Sequence, residues 1–366
     1  MDILIMVVTL AVVLGFLVFI HEGGHFLAAR AFGVRVTEFM IGLPGPSLGF
    51  RRGETRFGVT AVPLGGYAKV CGMAPVSNSP QLKRVLGYLY RKGSVTPEQV
   101  GHDLCLDEDE AVDLLEELAD WGSAVRPTRK NPDCYCTPAY RPTRKDKKHA
   151  GVSDVHTYAQ GDVRVVKDIH TLFMEERSKQ YAYLPFWKRI CILLAGPVMN
   201  LVWVFLAFIL VYSVMGLDLQ NTQTGEVFHY NWAPWDALAM GFNYLGMVLN
   251  AIIGLFNPAT VSQTISNSAS IIGIAVYSKD AFEAGMQNFI FFTAVVSASL
   301  GFMNMLPIPP LDGGRFVVEI FQKVTRKVVS MRALGYMTMI GVTLIFALFV
   351  VTVNQDINRF VFGNWG

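Results

Sequence analysis

Charge is what this sequence has least of. Only 16% of its 366 residues are Asp, Glu, Lys or Arg, against 52% hydrophobic, and the mean hydropathy is +0.37. That is too apolar for an ordinary soluble protein and fits a membrane protein with some soluble mass. Four runs lack charge altogether and approach the ~20 residues of a bilayer span: Ile3–Ile20, Ile190–Leu217, Phe289–Leu306 and Ala333–Val353. A fifth, Ala237–Phe256, is uncharged but interrupted by Asn243 and Asn250. The first run lacks a basic segment before it and a small-residue cleavage site after it, so it reads as a retained anchor rather than a signal peptide.

Cysteine is also scarce. Four of the five, Cys71, Cys105, Cys134 and Cys136, fall in the connection between the first two runs and Cys191 in the second run. On the cytoplasmic side argued below, that excludes a disulfide framework. Cys134 and Cys136 have no second Cys or His pair at zinc-finger spacing and read as part of a turn or wing.

Basic residues are missing from one connection in particular. The stretch Asp218–Asn288 holds Lys279 alone, whereas Arg30–Arg189 holds 24 and the connection before the last span holds Arg315, Lys323, Arg326, Lys327 and Arg332. Lysine and arginine stay on the cytoplasmic side. The first and third connections therefore face the cytoplasm, with both termini outside.

Where the first apolar run ends, the sequence reads His21-Glu22-Gly23-Gly24-His25. On a helix the two imidazoles, four residues apart, share one face and can hold one zinc, while Glu22 beside them can take a proton from a zinc-held water. Ionisable groups at membrane depth are costly and mark function. Zinc in a hydrolase needs a third protein ligand and an open position. Asp312, in "NMLPIPPLDGGRF" (304–316), offers a carboxylate just past the third span. Pro307, Pro309 and Pro310 break the helix there and Gly313–Gly314 permit an unusual turn, so Asp312 is expected on irregular backbone beside a cavity. Four spans put it at the same membrane face as the histidines. A crossing by Ala237–Phe256 would reverse that, so this run reads as interfacial or re-entrant on the outer side.

The stretches HEGGH, "PLGGYAKV" (63–70), "FWKRICILLAGPVMN" (186–200) and "NMLPIPPLDGG" (304–314) resemble, in order and spacing, the site-2 protease family of intramembrane zinc metalloproteases, in its regulator-of-sigma-E branch. The resemblance covers about residues 1–76 and 180–353. It implies zinc held by His21, His25 and Asp312, Glu22 as general base, and Asn304 near substrate or oxyanion. It implies a bacterial inner-membrane protease that cuts transmembrane proteins such as anti-sigma factors or signal-peptide remnants. It also implies that 33–76 is a membrane-associated β-hairpin region, turning at Arg52–Glu54, whose edge strand, with Gly65 and Gly66, clamps substrate. Pairing a helical substrate as a strand opens its peptide bond to attack.

The chain departs from that branch in two places. Asp218–Pro234 is too short for a PDZ domain. A soluble insert, about 78–159, takes its place on the cytoplasmic side. It carries three helical patterns, the second capped by Thr96 with Pro97 behind it and the third opening on acids and closing at Gly122, followed by a possible wing. This resembles a winged helix. Its recognition segment, Ser94–Trp121, has ten acids and no Lys or Arg, which argues against nucleic acid. The following tract 126–148 carries eight bases against two acids, including "RPTRK" twice, and suits anionic lipid headgroups.

The expected fold is thus membrane α-helical: four transmembrane helices (1–32 with the zinc motif, 189–217, 289–314 with LDGG, 333–353), the β-hairpin region and a small α+β, winged-helix-like insert. An interfacial helix is expected at 170–188, and an outer linker and interfacial helix at 218–288. The expected activity is zinc-dependent intramembrane proteolysis. The alternative is a non-enzymatic membrane sensor that signals through the insert, for which Glu22 is dispensable.

Overall fold

A 30-residue helix, α1 (Asp2–Ala31), begins the chain. The computed structural model describes residues 2–62, 65–73, 79–128, 131–140, 157–166, 168–220, 226–266, 268–360 and 362–363. The second RPTRK segment, 141–145, and Arg129 and Lys130 of the first lie outside them. The chain divides into two units: Met1–His25 with Pro63–Gly65 and Ile192–Gly366, and Phe26–Val62 with Gly66–Cys191.

In the second of these units, β1 (Val36–Ile41), β2 (Ser47–Arg52), β3 (Thr55–Thr60) and β4 (Gly66–Val70) form a sheet ordered β2-β3-β1-β4. β2 and β3 are a hairpin turning at Gly53–Glu54, where Gly53 takes φ +63°. β1 lies parallel to β3 and antiparallel to β4, which leaves β2 and β4 as edges. Strand alternation gives the sheet two different faces. Phe39, Phe50 and Phe57 share one with Phe26 in a cluster of ring contacts at 5.5–5.8 Å. Glu38, Arg51, Arg56 and Lys69 share the other, by register.

After the sheet come α2 (Gln81–Lys92), β5 (Ser94–Val95), α3 (Pro97–Leu104), α4 (Glu108–Asp120) and β6 (Tyr135–Cys136). Thr96 and Gln99 close a capping box at the start of α3, satisfying two amide groups the first turn leaves open. Leu82, Val85, Leu86 and Leu89 of α2 meet Leu114, Leu115 and Leu118 of α4 and Trp121 in one buried core. Each such side chain contributes about 1.5–3 kcal/mol. β5 pairs with β6, and Val125 bridges Cys136 beside it.

The segment expected as one interfacial helix over 170–188 is instead divided. It comprises α5 (Ile169–Ser178), a 3₁₀ turn Tyr181–Tyr183, and the start of the next long helix at Phe186. Pro185 explains the break: it forces Leu184 into extended backbone, φ −73° and ψ 150°.

One buried charge joins these pieces. Arg35, just before β1, donates from Nη1 and Nη2 to both carboxylate oxygens of Glu176 on α5, at 2.6 and 3.1 Å. Its Nε donates to Glu54 in the hairpin turn at 3.0 Å and its Nη1 to the carbonyl of Trp121 at 3.1 Å. Ser123 and Lys179 donate to Glu176 as well, at 2.6 and 3.1 Å. Sheet, insert and α5 thus share one ion-pair network, with Arg35 and Glu176 each only 6% exposed. Burial opposes the charge on Glu176, yet Arg35 and Lys179 hold its carboxyl well below the usual range.

The other unit contains α6 (Phe186–Phe208) from Ile192 onward, a π-helical turn Ile209–Met215, the ribbon β7 (Leu217–Gln220) and β8 (Val227–Tyr230), α7 (Pro234–Gly254), α8 (Val261–Ser266), α9 (Ile271–Glu283), α10 (Met286–Asn304), α11 (Asp312–Thr325) and α12 (Met331–Phe360). The π turn frees carbonyls that must be satisfied in an apolar setting. Trp232 N–H and the Asn231 amide donate to those of Tyr212 and Ser213, and Gln287 donates to Val211 and Gly216. The last contact puts the start of α10 beside the end of α6. Val204, Ala207 and Phe208 of α6 pack with Leu245 of α7 and Ala294 and Ala298 of α10.

Five helices among the described residues are long and apolar enough to cross a membrane: Asp2–Ala31, Phe186–Met215, Pro234–Gly254, Met286–Asn304 and Arg332–Phe360. The sequence led us to expect four crossings, with the fifth uncharged run, 237–256, as an interfacial or re-entrant helix. Asn243 and Asn250 do not interrupt the helix of the additional one, because both lie on its exposed side.

Candidate metal centre

His21 and His25 stand one turn apart on α1, as their spacing requires, and Asp312 opens α11. The three side chains converge. Asp312 Oδ2 lies 3.1 Å from His21 Nε2 and 3.3 Å from His25 Nε2, and the two Nε2 atoms are 3.3 Å apart. They are the one His/Cys/Asp/Glu group with metal-holding geometry among the described residues.

A tetrahedral zinc with bonds of ~2.0–2.1 Å has ligand atoms about 3.3–3.4 Å apart, so the triangle fits one zinc with a fourth position left over. The donor set, two imidazole nitrogens and a carboxylate oxygen, is one that catalytic zinc uses.

The far ring nitrogens are held too. His25 Nδ1–H donates to the carbonyl of Ile192 at 2.7 Å, which fixes the tautomer and leaves Nε2 free to ligate. The amide of Asn200 on α6 has Nδ2 3.1 Å from His21 Nδ1, and its buried Oδ1 is without a partner among the described residues. A half-turn of that planar amide lets Oδ1 accept from Nδ1–H, which satisfies the oxygen and keeps the His21 Nε2 lone pair for metal. Ser297 Oγ–H, on α10, donates to the backbone carbonyl of Asn200 at 2.9 Å.

Small residues make the convergence possible. A Cβ at Gly196 would overlap the Nε2 atoms of His21 and His25, and one at Gly24 would overlap the carbonyl of Ala195. α6 therefore rests its backbone directly on the zinc motif. Gly313 and Gly314 are helical residues of α11, not a turn: a Cβ on them would strike the backbone of Met305–Leu306 and Ile308–Pro309. Asp312 likewise is not on irregular backbone. It is the first residue of a helix of 14, and Pro307–Leu311 carries the irregular stretch. The prolines stop α10, and the glycines let the next helix fold back on that stop.

Glu22, half-buried, follows His21 on α1, and Asn304, also half-buried, ends α10. Gly65 takes φ +92° and Gly66 opens β4; neither has a side chain to add to the triangle. Sequence reasoning missed Asn200 and Gly196. The signal for Asn200 was a lone amide inside the apolar run Ile190–Leu217.

The family profile described as Peptidase family M50 matches residues 9–348. The zinc metalloprotease RasP of Geobacillus kaustophilus is 22% identical, over 97% of this chain and 98% of its own length. The regulator of sigma-W protease RasP of Bacillus subtilis is 20% identical over 96% and 98%. The zinc metalloprotease RasP of Oceanobacillus iheyensis is 21% identical over 96% and 99%.

Proposed function

This chain belongs to peptidase family M50, the site-2 proteases, and from that we propose that it cuts peptide bonds within the transmembrane segments of other membrane proteins. The observation that carries the reading is the His21–His25–Asp312 triangle with edges of 3.1–3.3 Å, its two histidines on a helix of membrane length. His21, His25 and Asp312 would ligate one zinc. Zinc supplies Lewis acidity there, making water nucleophilic near neutral pH and polarising the scissile carbonyl.

The remaining steps belong to the chain. Glu22 takes the proton from the attacking water and returns it to the leaving amide nitrogen. Asn304 orients the substrate backbone. β4, with Gly65 and Gly66 at its start, receives the unwound substrate as an added strand. Substrates are single-span proteins of the anti-sigma-factor type or signal-peptide remnants.

The site faces the cytoplasm of a bacterial inner membrane, with both termini outside, a reading the Lys and Arg distribution supports. We assign four crossings, with α7 lying in the outer leaflet. The contact of Gln287 with the end of α6 supports this, because it sets the start of α10 beside that end, and α9, at 13 residues or ~20 Å, is too short to undo a crossing by α7. No PDZ domain fits between α6 and α7. The helix–strand–helix–helix–wing order of 81–136 supports a winged-helix-like module that docks protein rather than nucleic acid, with the basic tract against anionic lipid.

The test is co-expression with a panel of single-span membrane proteins, with fragments located by mass spectrometry. Cuts inside the apolar segment, absent with His25→Ala, support the proposal. Cuts confined to soluble segments overturn it.

A further inference from the structure

The cationic face of the sheet does not lie against a hydrophobic core; it walls a cavity of about 640 Å³. Arg51, Arg56, Glu38 and Lys69 form one row across β2, β3, β1 and β4, and all four line the cavity. Arg51 stands directly opposite Arg56. Like charges facing each other across a strand pair are destabilising, and no ion pair relieves these two among the described residues. Among the described residues Arg56 donates only to Ser47, at 2.9 Å. Glu38 accepts from the Tyr67 hydroxyl at 2.9 Å.

The other cations of the cavity are either neutralised or idle. Arg35 and Lys179 share Glu176, and Arg126 is paired with Glu116 and Asp120. Arg164 on the insert side stacks on Tyr90 and Tyr158 at 4.8 and 5.3 Å. It donates from Nη2 to the Pro138 carbonyl, and its Nε is buried with no acceptor among the described residues. The row therefore carries three cations against one carboxylate; of the other lining acids, Glu54 and Glu176 are held by Arg35, and Glu175 balances Arg164 in the charge count.

From this we infer that the cavity is a binding site for a phosphate-bearing ligand. A phosphate monoester carries about −1.5 to −2 near neutral pH and three strong acceptor oxygens. That matches the excess of two positive charges on the row, where a single carboxylate would leave one uncompensated. The planar fork of arginine suits phosphate, so the Arg51–Arg56 pair can clasp one phosphate between them while Lys69 adds a point charge. The chemistry is common to a soluble phosphate compound and a phosphate-headed lipid. The site is distinct from the His–Asp triangle and does not depend on proteolysis.

Calorimetry on the full-length protein in neutral detergent, with inorganic pyrophosphate as probe, tests it. Saturable binding is expected, lost to acetate at equal ionic strength. It should weaken at least tenfold in Arg51→Gln/Lys69→Gln and stay unchanged in Lys92→Gln, a cation outside the cavity. Lys69→Gln alone, at a half-exposed edge-strand position, serves if the double variant does not fold, and should still weaken binding severalfold. Nanodiscs distinguish the sources: phosphatidic acid that displaces pyrophosphate where phosphatidylcholine does not marks a lipid headgroup, and no displacement marks a soluble ligand. Absence of saturable pyrophosphate binding, or equal binding by wild type and the cavity variants, overturns the inference.

Discussion

Asn200 and His21, 179 residues apart in the chain, meet at 3.1 Å between the side-chain amide and Nδ1. An imidazole that ligates through Nε2 needs its Nδ1–H accepted elsewhere, and partners of this kind are worth roughly 10–100-fold in metal affinity. Asn200→Ala should therefore weaken zinc binding by about that factor, read by competition with a chelator. Asn200→Asp, which keeps an acceptor in place, should restore most of it. Equal affinity in Asn200→Ala and wild type would remove Asn200 from the site.

Gly196 should tolerate no side chain. A Cβ there overlaps the Nε2 atoms of His21 and His25, whereas Gly15 and Gly246 face open space. Gly196→Ala should lower zinc affinity roughly tenfold or more and abolish cleavage, while Gly15→Ala and Gly246→Ala should leave both unchanged. Zinc stoichiometry after chelator challenge decides between them.

Removing one partner of the Arg35–Glu176 pair should cost about 3–5 kcal/mol, because it strands a buried charge. Arg35→Met measures this by thermal unfolding. The Arg35→Met/Glu176→Met variant should lose less than the two single changes added together. The pH dependence has a definite sign. Glu176 titrates lower when folded than its ordinary 4.5, so its stabilisation is full above about 4.5 and is lost as pH falls from there through the folded value. Glu176→Gln should flatten that acid limb. A limb as steep as that of wild type would contradict the assignment.

Some of this was legible in the sequence and some was not, for physical reasons. The histidines were legible because a four-residue spacing leaves a helix no choice of face. Asp312 was legible as a carboxylate after a run of prolines, but its backbone was misread. Gly313 and Gly314 suggested a turn, whereas their smallness serves the packing of α11 on Met305–Pro309. The helix of α7 was legible as an uncharged run, but Asn243 and Asn250 suggested an interruption, whereas both sit on its exposed side and leave it continuous over Pro234–Gly254. Arg35 was invisible: it is one of 24 bases in its connection, and its partners Glu54, Trp121 and Glu176 come from three separate segments. The parallel pairing of β1 with β3 was hidden for the same reason, since register across an intervening hairpin leaves no local pattern.

The central claim is that Glu22 moves the proton at a metal site built by His21, His25 and Asp312. The most direct measurement is zinc content and cleavage of one transmembrane substrate in the same preparations of wild type and Glu22→Gln. Glutamine keeps the shape of the side chain and removes the base, so the loss should fall on turnover and not on metal binding. The account predicts one zinc per chain in both, with cleavage lost from the variant. Cleavage by Glu22→Gln at the wild-type rate would contradict it.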